Sequence, residues 1–176
     1  MMKSYQYVDI SILSKHLSYD AVTGVFTRVI SSGPSKSGTV VGSKNKEGYL
    51  TVCVQRKNYL AHRVAFAMHH GSWPSRNIDH INQVRTDNRI FNLREALPGE
   101  NSCNQKLKIT NTSGYKGVVK SKRKSMPWSA QIMVDGKCIF LGNFKTAEEA
   151  AKAYDEASFS YHGEFASPNS RIRNRK

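Results

Sequence analysis

Between residues 147 and 161, Ala147, Ala150, Ala151, Tyr154, Ala157 and Tyr161 recur at the spacing of one helical face. Most of that face is alanine, so the helix can lie close against the element it covers. What precedes it is strand-like. Residues 115–121 read as one strand, and in 128–134 Trp128, Ala130 and Ile132 alternate with Ser129, Gln131 and Met133. Asp135-Gly136 is a tight-hairpin signal, and 137–142 supply a third strand. Thr146 and Glu149 make a capping box, and Gly163 ends the helix. The expected fold of this segment is a three-stranded antiparallel sheet packed on one helix, with the other sheet face left open.

That open face meets a strongly basic chain. Over 176 residues, 27 Lys and Arg stand against 13 Asp and Glu, a net charge of +14. The excess is spread as +5, +3 and +6 over 1–60, 61–110 and 111–176, so a single basic tail does not account for it. Such a balance points to an acidic partner, most often nucleic acid, and a basic surface kept for solubility is the plainer alternative. Lys120, Lys122, Arg123 and Lys124 cluster at the tip between the first two strands, suited to phosphates. Arg171 to Lys176 form a basic tail expected to extend that contact. Cys53, Cys103 and Cys138 are scattered and odd in number, which argues against a disulfide framework and a cysteine-ligated zinc. No apolar run is long enough to span a membrane, and residues 1–9 lack a signal-peptide core. The expectation is an intracellular, cytoplasmic protein with no membrane and no small-molecule cofactor.

The N-terminal residues 1–58 read as a β-rich platform. Residues 15–19 close a short helix, 20–24 form a turn, and 25–29 form a strand. A Ser/Gly/Pro loop follows at 31–38, then a strand at 49–55 in which Leu50, Val52 and Val54 alternate with Thr51 and Cys53. Residues 56–58 read as a polar turn. From 59 to 71 the period becomes helical, with Leu60, Val64, Ala67 and Met68 on one face and Gly71 as the stop. No site is expected in the platform itself.

The chemistry concentrates in 77–104. Asp79 and His80 are adjacent on a short strand at 78–81, and an ideal strand points them to opposite faces, so one shared site needs a bend. A turn-rich stretch at 82–88 allows a hairpin. Ile90, Phe91 and Leu93 are apolar anchors, and Pro98 opens a helix running to Lys106. A carboxylate beside an imidazole can hold a metal and activate a water. Oxygen donors from Asp and Asn suit a hard ion such as Mg²⁺, and a histidine near neutrality is a competent base.

Asp79-His80-Ile-Asn, Asp87-Asn88-Arg89, Asn92-Leu93-Arg94 and Glu100-Asn101, preceded by Leu60-Ala61-His62-Arg63, resemble the signature of HNH homing endonucleases of the phage and intron-encoded type. The resemblance implies a ββα-metal (His-Me finger) nuclease over 59–108. By position, Asp79 resembles the metal-binding carboxylate and His80 the general base. Asn92, twelve residues on, resembles the asparagine that braces the loop and orients the histidine. Asn101, nine further, resembles the last metal ligand. Many relatives have histidine at that last position; the asparagine here makes an H-N-N variant. Leu97 at the helix cap and Gln83-Val84 at the hairpin tip also depart from the family pattern. One Mg²⁺ or Mn²⁺ per site is implied. His62, Arg85, Arg89 and Arg94 are the expected contacts to phosphate.

A second resemblance covers 113–169. Tyr115-Lys-Gly-Val118, Trp128-Ser-Ala-Gln-Ile132, Phe140-Leu-Gly-Asn-Phe144, Ala147-Glu-Glu-Ala-Ala151 and Ala153-Tyr-Asp-Glu-Ala157 are similar to the APETALA/ethylene-response-factor DNA-binding domain. In that family the open sheet face reads DNA with arginine and tryptophan. The matching positions here are Lys116, Val119, Ser121, Gln131, Met133, Cys138 and Phe140, so the fold carries over and the base code does not. Lys116, Gln131, Met133 and Phe140 are the expected contacts.

The sequence reading is an α+β chain: platform 1–58, nuclease motif 59–108, linker 109–113, DNA-binding domain 114–169 and basic tail 170–176. The expected activity is a DNA endonuclease of homing type that nicks duplex DNA, acting as a monomer. A non-catalytic DNA-binding regulator and an RNA-processing nuclease are the rival classes.

Overall fold

The computed structural model describes residues 7–105, 107 and 110–170. The chain divides into two compact units, Met1–Ala96 and Leu97–Lys176. The expected basic tail Arg171 to Lys176, and the ends of the expected linker and helix at Lys106, Lys108 and Ile109, lie outside the described residues.

In the first unit, Asp9 caps helix α1 (Ile10–His16) by accepting from the Ser11 N–H at 2.7 Å. The helix ends where Leu17 turns extended, so the expected helix at 15–19 is instead its last turn followed by strand β1 (Leu17–Tyr19). β1 pairs with β2 (Phe26–Arg28), and β2 with β3 (Val40–Val41), all antiparallel. A second antiparallel sheet has the order β4 (Ser43–Lys44), β5 (Leu50–Val54), β6 (Lys57–Leu60). β6 falls where the sequence reads as polar turn and helix start. The true turn is Gln55-Arg56, both at positive φ (49° and 64°), the hairpin geometry usually given to Asn-Gly. Without those residues the hairpin left no sequence signal.

Helix α2 (Ala61–His70) therefore starts two residues later than its periodicity predicts, because Tyr59 and Leu60 are held in the β5–β6 ladder. It buries Ala61, Val64, Ala65 and Ala67 against Leu13, Leu17, Phe26, Val52 and Val54. Gly71 ends it in the left-handed conformation. Arg63 then ties down the chain leading onward, donating to the carbonyls of Pro74 and Arg76 and to the Tyr7 hydroxyl. That segment delivers β7 (Asn77–His80), which pairs antiparallel with β8 (Leu93–Ala96).

The second unit begins with helix α3 (Pro98–Cys103), shorter than expected. Leu97 has no polar side chain to cap it, but Glu100 accepts from the Leu97 N–H at 2.6 Å, supplying half of a capping box. Strands β9 (Val118–Lys120), β10 (Trp128–Val134) and β11 (Lys137–Phe144) form the antiparallel order β11-β10-β9. Helix α4 (Ala147–His162) packs on them through Ala147, Ala150 and Ala151 against Tyr115, Val118 and Ala130. This is the three-stranded sheet on one helix that the alanine spacing predicts. The first strand starts at Val118 rather than Tyr115. Gly117 is left-handed (φ 72°), and a Cβ there would sit 2.0 Å from the Tyr154 ring, so the chain turns under α4 before it pairs.

Candidate active site

Strand alternation decides which neighbours Asp79 and His80 meet. Asp79 stands directly across the β7–β8 ladder from Arg94, and His80 across from Leu93. The Arg94 guanidinium donates to Asp79 Oδ2 through Nε (3.0 Å) and Nη2 (2.8 Å). Both side chains are buried, 12% and 6% exposed. Arg94, one of the three arginines expected near the phosphate, is thus paired with the Asp79 carboxylate. Its guanidinium is held by the carboxylate opposite, the pairing that a cross-strand arginine and aspartate make when neither reaches solvent.

The His80 ring meets other groups. It packs edge-on against His62 at 5.0 Å between centroids, and Tyr49 lies 5.9 Å away on β5's approach. His80 Nε2 is 3.3 Å from Asn88 Oδ1. His80 is 4% exposed, and burial lowers its pKa below the usual histidine value, against smaller raising effects of the Asn88 contact, Asp79 and Asp87. The lowering favours the neutral imidazole, the form that can accept a proton.

Asn92 closes the loop that follows. It is 4% exposed, at the end of a single 3-10 turn (Ile90–Asn92). Its Oδ1 accepts from the Asn82 N–H at 2.9 Å, its Nδ2 donates to the Asp87 carbonyl at 2.8 Å, and its carbonyl accepts from the Ile81 N–H at 2.9 Å. One side chain thus joins both ends of the 82–87 loop. Inside it, Gln83 takes φ 60°, a left-handed conformation that glycine adopts most readily.

The other expected contacts are placed as follows. Arg89 forks onto Asp87 (Nε to Oδ1, 2.7 Å) and stacks over exposed Phe91 at 4.7 Å, and the fork holds the Asp87 carboxyl below its usual value. Arg85 lies over the Tyr49 ring at 4.8 Å and donates to the Glu47 carbonyl. His62 is 5% exposed and its pKa is driven down to about 3, chiefly by burial. The ring is enclosed, and burial favours its neutral form. In the second unit, the Lys116 ammonium donates to the carbonyls of Cys103 and Gln105. Gln131 pairs with Phe140, and Met133 with Cys138, on the sheet face away from α4, with Met133 54% and Phe140 61% exposed. Lys120, the last residue of β9, is exposed, and Lys122, Arg123 and Lys124 are exposed in the turn that follows. Asn101 lies on α3, in the second unit.

The platform contributes what the sequence did not reveal. The Tyr19 hydroxyl donates to the Asn88 carbonyl at 2.7 Å, and the Ile90 N–H to the Ala21 carbonyl at 3.0 Å. Gly24 lies so near that a Cβ there would sit 2.5 Å from the Arg89 nitrogen. The β1–β2 turn therefore carries the backbone of the site loop. Asn88, read from sequence as a turn residue, is 1% exposed and touches His80.

For a metal, the donor chemistry fits a hard ion: a carboxylate at Asp79 and an amide oxygen at Asn101. Among the described residues no group of three or more His, Cys, Asp or Glu is gathered to hold an ion.

Residues 59–102 match the family model described as HNH endonuclease, so the chain carries an HNH endonuclease domain. It is 34% identical over 119 residues to protein 3.8 of Escherichia phage T7, a match covering 63% of this chain and 97% of that one. The chain belongs to the phage T7 protein 3.8 family. This member of the T7 protein 3.8 family is also similar to an uncharacterized HNH endonuclease of Acanthamoeba polyphaga mimivirus, 34% identical over 92 residues, 52% of this chain and 46% of that one. An AP2/ERF and B3 domain-containing transcription factor of Arabidopsis thaliana is 41% identical over 73 residues, 42% of this chain. The chain spans only 20% of that plant protein's length. No helix among the described residues is long and apolar enough to cross a membrane.

Proposed function

We propose that this chain is a metal-dependent endonuclease that hydrolyses one phosphodiester bond of duplex DNA, most simply leaving a nick. The observation that carries the reading is His80, a buried neutral imidazole at the end of β7, beside a carboxylate and above a loop closed by Asn92. His80 takes a proton from the attacking water as its oxygen bonds to phosphorus and the bond to the 3′-oxygen breaks. A positioned base of this kind is worth roughly 10²–10⁴-fold in rate. Asn92 keeps the loop, and with it the start of the turn after His80, in one conformation. Asp79 and Asn101 are the residues that would hold a Mg²⁺ or Mn²⁺. Such an ion, when bound, stabilises charge on the leaving oxygen and the phosphate. Arg94 fixes the Asp79 carboxylate in one rotamer.

Substrate binding falls to the second unit. Its basic tip at Lys120, Lys122, Arg123 and Lys124 meets phosphates, and the open face bearing Gln131, Met133 and Phe140 lies against bases, with the apolar pair suited to thymine methyl groups.

One observation favours the rival, a DNA-binding regulator built on the nuclease scaffold: the Asp79 carboxylate already has a cation, Arg94. Relaxation of supercoiled plasmid separates the two. Wild type nicks in Mg²⁺ or Mn²⁺ and not in EDTA, and His80→Ala abolishes nicking while retaining DNA binding. Binding without nicking by the purified wild type in either metal leaves the regulator.

A further inference from the structure

We infer that His62 is a positioning residue for His80, with Tyr49 as its second wall. The inference rests on the endonuclease reading for its consequence in rate, and on geometry alone for its physical content.

His62 occupies the first turn of α2, a core-facing position where leucine or phenylalanine packs without penalty. It is instead an imidazole whose Nδ1 is buried and has no hydrogen-bond partner. An apolar side chain would not carry that cost. What the ring gains is on its other side. It stands edge-on to His80, 80° between planes and 5.0 Å between centroids, the T-shaped arrangement in which one ring's edge meets another's face. Tyr49 touches both rings, at 5.1 Å from His62 and 5.9 Å from His80. Arg85 covers Tyr49 from outside and is anchored to the Glu47 carbonyl. Asn88 provides the polar contact at Nε2. The His80 imidazole is therefore walled by two aromatic rings and tethered at one nitrogen, so its χ angles have little room.

These walls come from three places in the chain: β5's approach, α2 and the site loop. That explains a structural role for the platform in the reaction. Tyr49 and His62 touch no reacting atom in this scheme; they set the plane in which His80 meets the water. A base displaced by about 1 Å loses on the order of 100-fold.

The test uses the full chain. Single-turnover nicking and DNA affinity are measured for wild type, His62→Ala, His62→Phe and Tyr49→Leu, alongside ¹⁵N NMR of the His80 ring and thermal melting. His62→Ala should slow cleavage about 10- to 100-fold with affinity within about twofold, and its His80 ring signals should report a mixture of tautomers or ring states. Tyr49→Leu should do the same more weakly. His62→Phe, which restores a planar wall without a titratable nitrogen, should recover most of the rate and the single His80 signature. If His62→Ala is folded, keeps its His80 ring signals and cleaves within about twofold of wild type, His62 is only core packing and the proposal falls. If His62→Phe melts like wild type yet recovers nothing, the plane is not what His62 supplies and the proposal also falls. An inactive wild type would overturn the endonuclease reading instead, and the ring signals would still decide whether His62 orients His80.

Discussion

Arg94→Met is the substitution with the largest consequence that the fold allows to be worked out. Methionine keeps the length of the side chain and most of its apolar contact while removing the guanidinium. In the wild type the guanidinium lies 2.8 Å from Asp79 Oδ2, and the carboxylate is 6% exposed. At an effective dielectric constant of about 20 the gross attraction at that distance is about 6 kcal/mol. Most of it is offset by the cost of taking both charges out of water, so the pair as a whole contributes little. Removing one partner is different, because the carboxylate stays buried without its cation. The expected loss is about 3–5 kcal/mol of folding free energy. Replacing both members, Arg94→Met with Asp79→Asn, should lose clearly less than Arg94→Met alone. Urea unfolding in EDTA at pH 7.5, followed by circular dichroism, reads all three. Added Mg²⁺ should restore part of the stability of Arg94→Met and none of that of the double variant, since ligand binding to the native state stabilises it by RT ln(1 + [L]/Kd). A loss under about 1 kcal/mol for Arg94→Met would refute the premise that Asp79 depends on Arg94 for its burial.

Three further outcomes follow from the same geometry. Stability should fall on acidification between pH 6.5 and about 3. The His62 pKa is about 3 in the fold against 6.5 in the open chain, so the unfolded state binds a proton that the native state refuses. The slope from this group is about 1.4 kcal/mol per pH unit inside that window; the stability is fully present above pH 6.5 and is lost as pH falls through the window. His80, lowered in the same direction, adds to it, and urea midpoints of wild type and His62→Phe across that range should converge on shallower behaviour for the variant. Gly24→Ala places a methyl group against the backbone of Asn88 and Arg89 at a left-handed φ of 73°, which should cost about 2–4 kcal/mol by chemical denaturation and slow nicking with it. Asn92→Ala leaves the Asn82 N–H and the Asp87 carbonyl without partners, a loss of about 1–3 kcal/mol, and hydrogen exchange should quicken specifically over the 82–88 loop.

Legibility from sequence followed the range of the forces involved. The second unit's sheet and helix were readable because alanine spacing, strand alternation and Asp135-Gly136 each act locally and agree. Asp79, His80 and Asn92 stand out through the family resemblance that their spacing carries, and their roles are the ones proposed above. The platform's part was not readable. Tyr19 is 69 residues from Asn88, whose carbonyl it binds, and nothing in either residue's neighbourhood announces the pairing. β6 was missed because Gln55 and Arg56 take the left-handed turn without the residues that usually mark it. Arg94 and Lys116 look alike as surplus charge in a basic chain, yet each meets acceptors that only the fold brings within reach.

That last point bears on how a chain with a net charge of +14 separates attraction from chemistry. Around the Asp79–His80 stretch, Arg85, Arg89 and Arg94 are each held by a protein acceptor: the Glu47 carbonyl, Asp87 and Asp79. Charge there stabilises a loop and fixes a carboxylate. At Lys120, Lys122, Arg123 and Lys124 no such acceptor pairing is needed, because the residues stand at an exposed tip where solvent screens them and a phosphate can replace the solvent. The lowered pKa of His80 has a local cause as well. Burial of His80 disfavours its charged form, and the arginine nearest its approach, Arg85, pushes in the same direction, while the Asn88 contact, Asp79 and Asp87 oppose it. The division of labour is thus set by what each cation is bonded to, and the total charge of the chain says only that a polyanion will come.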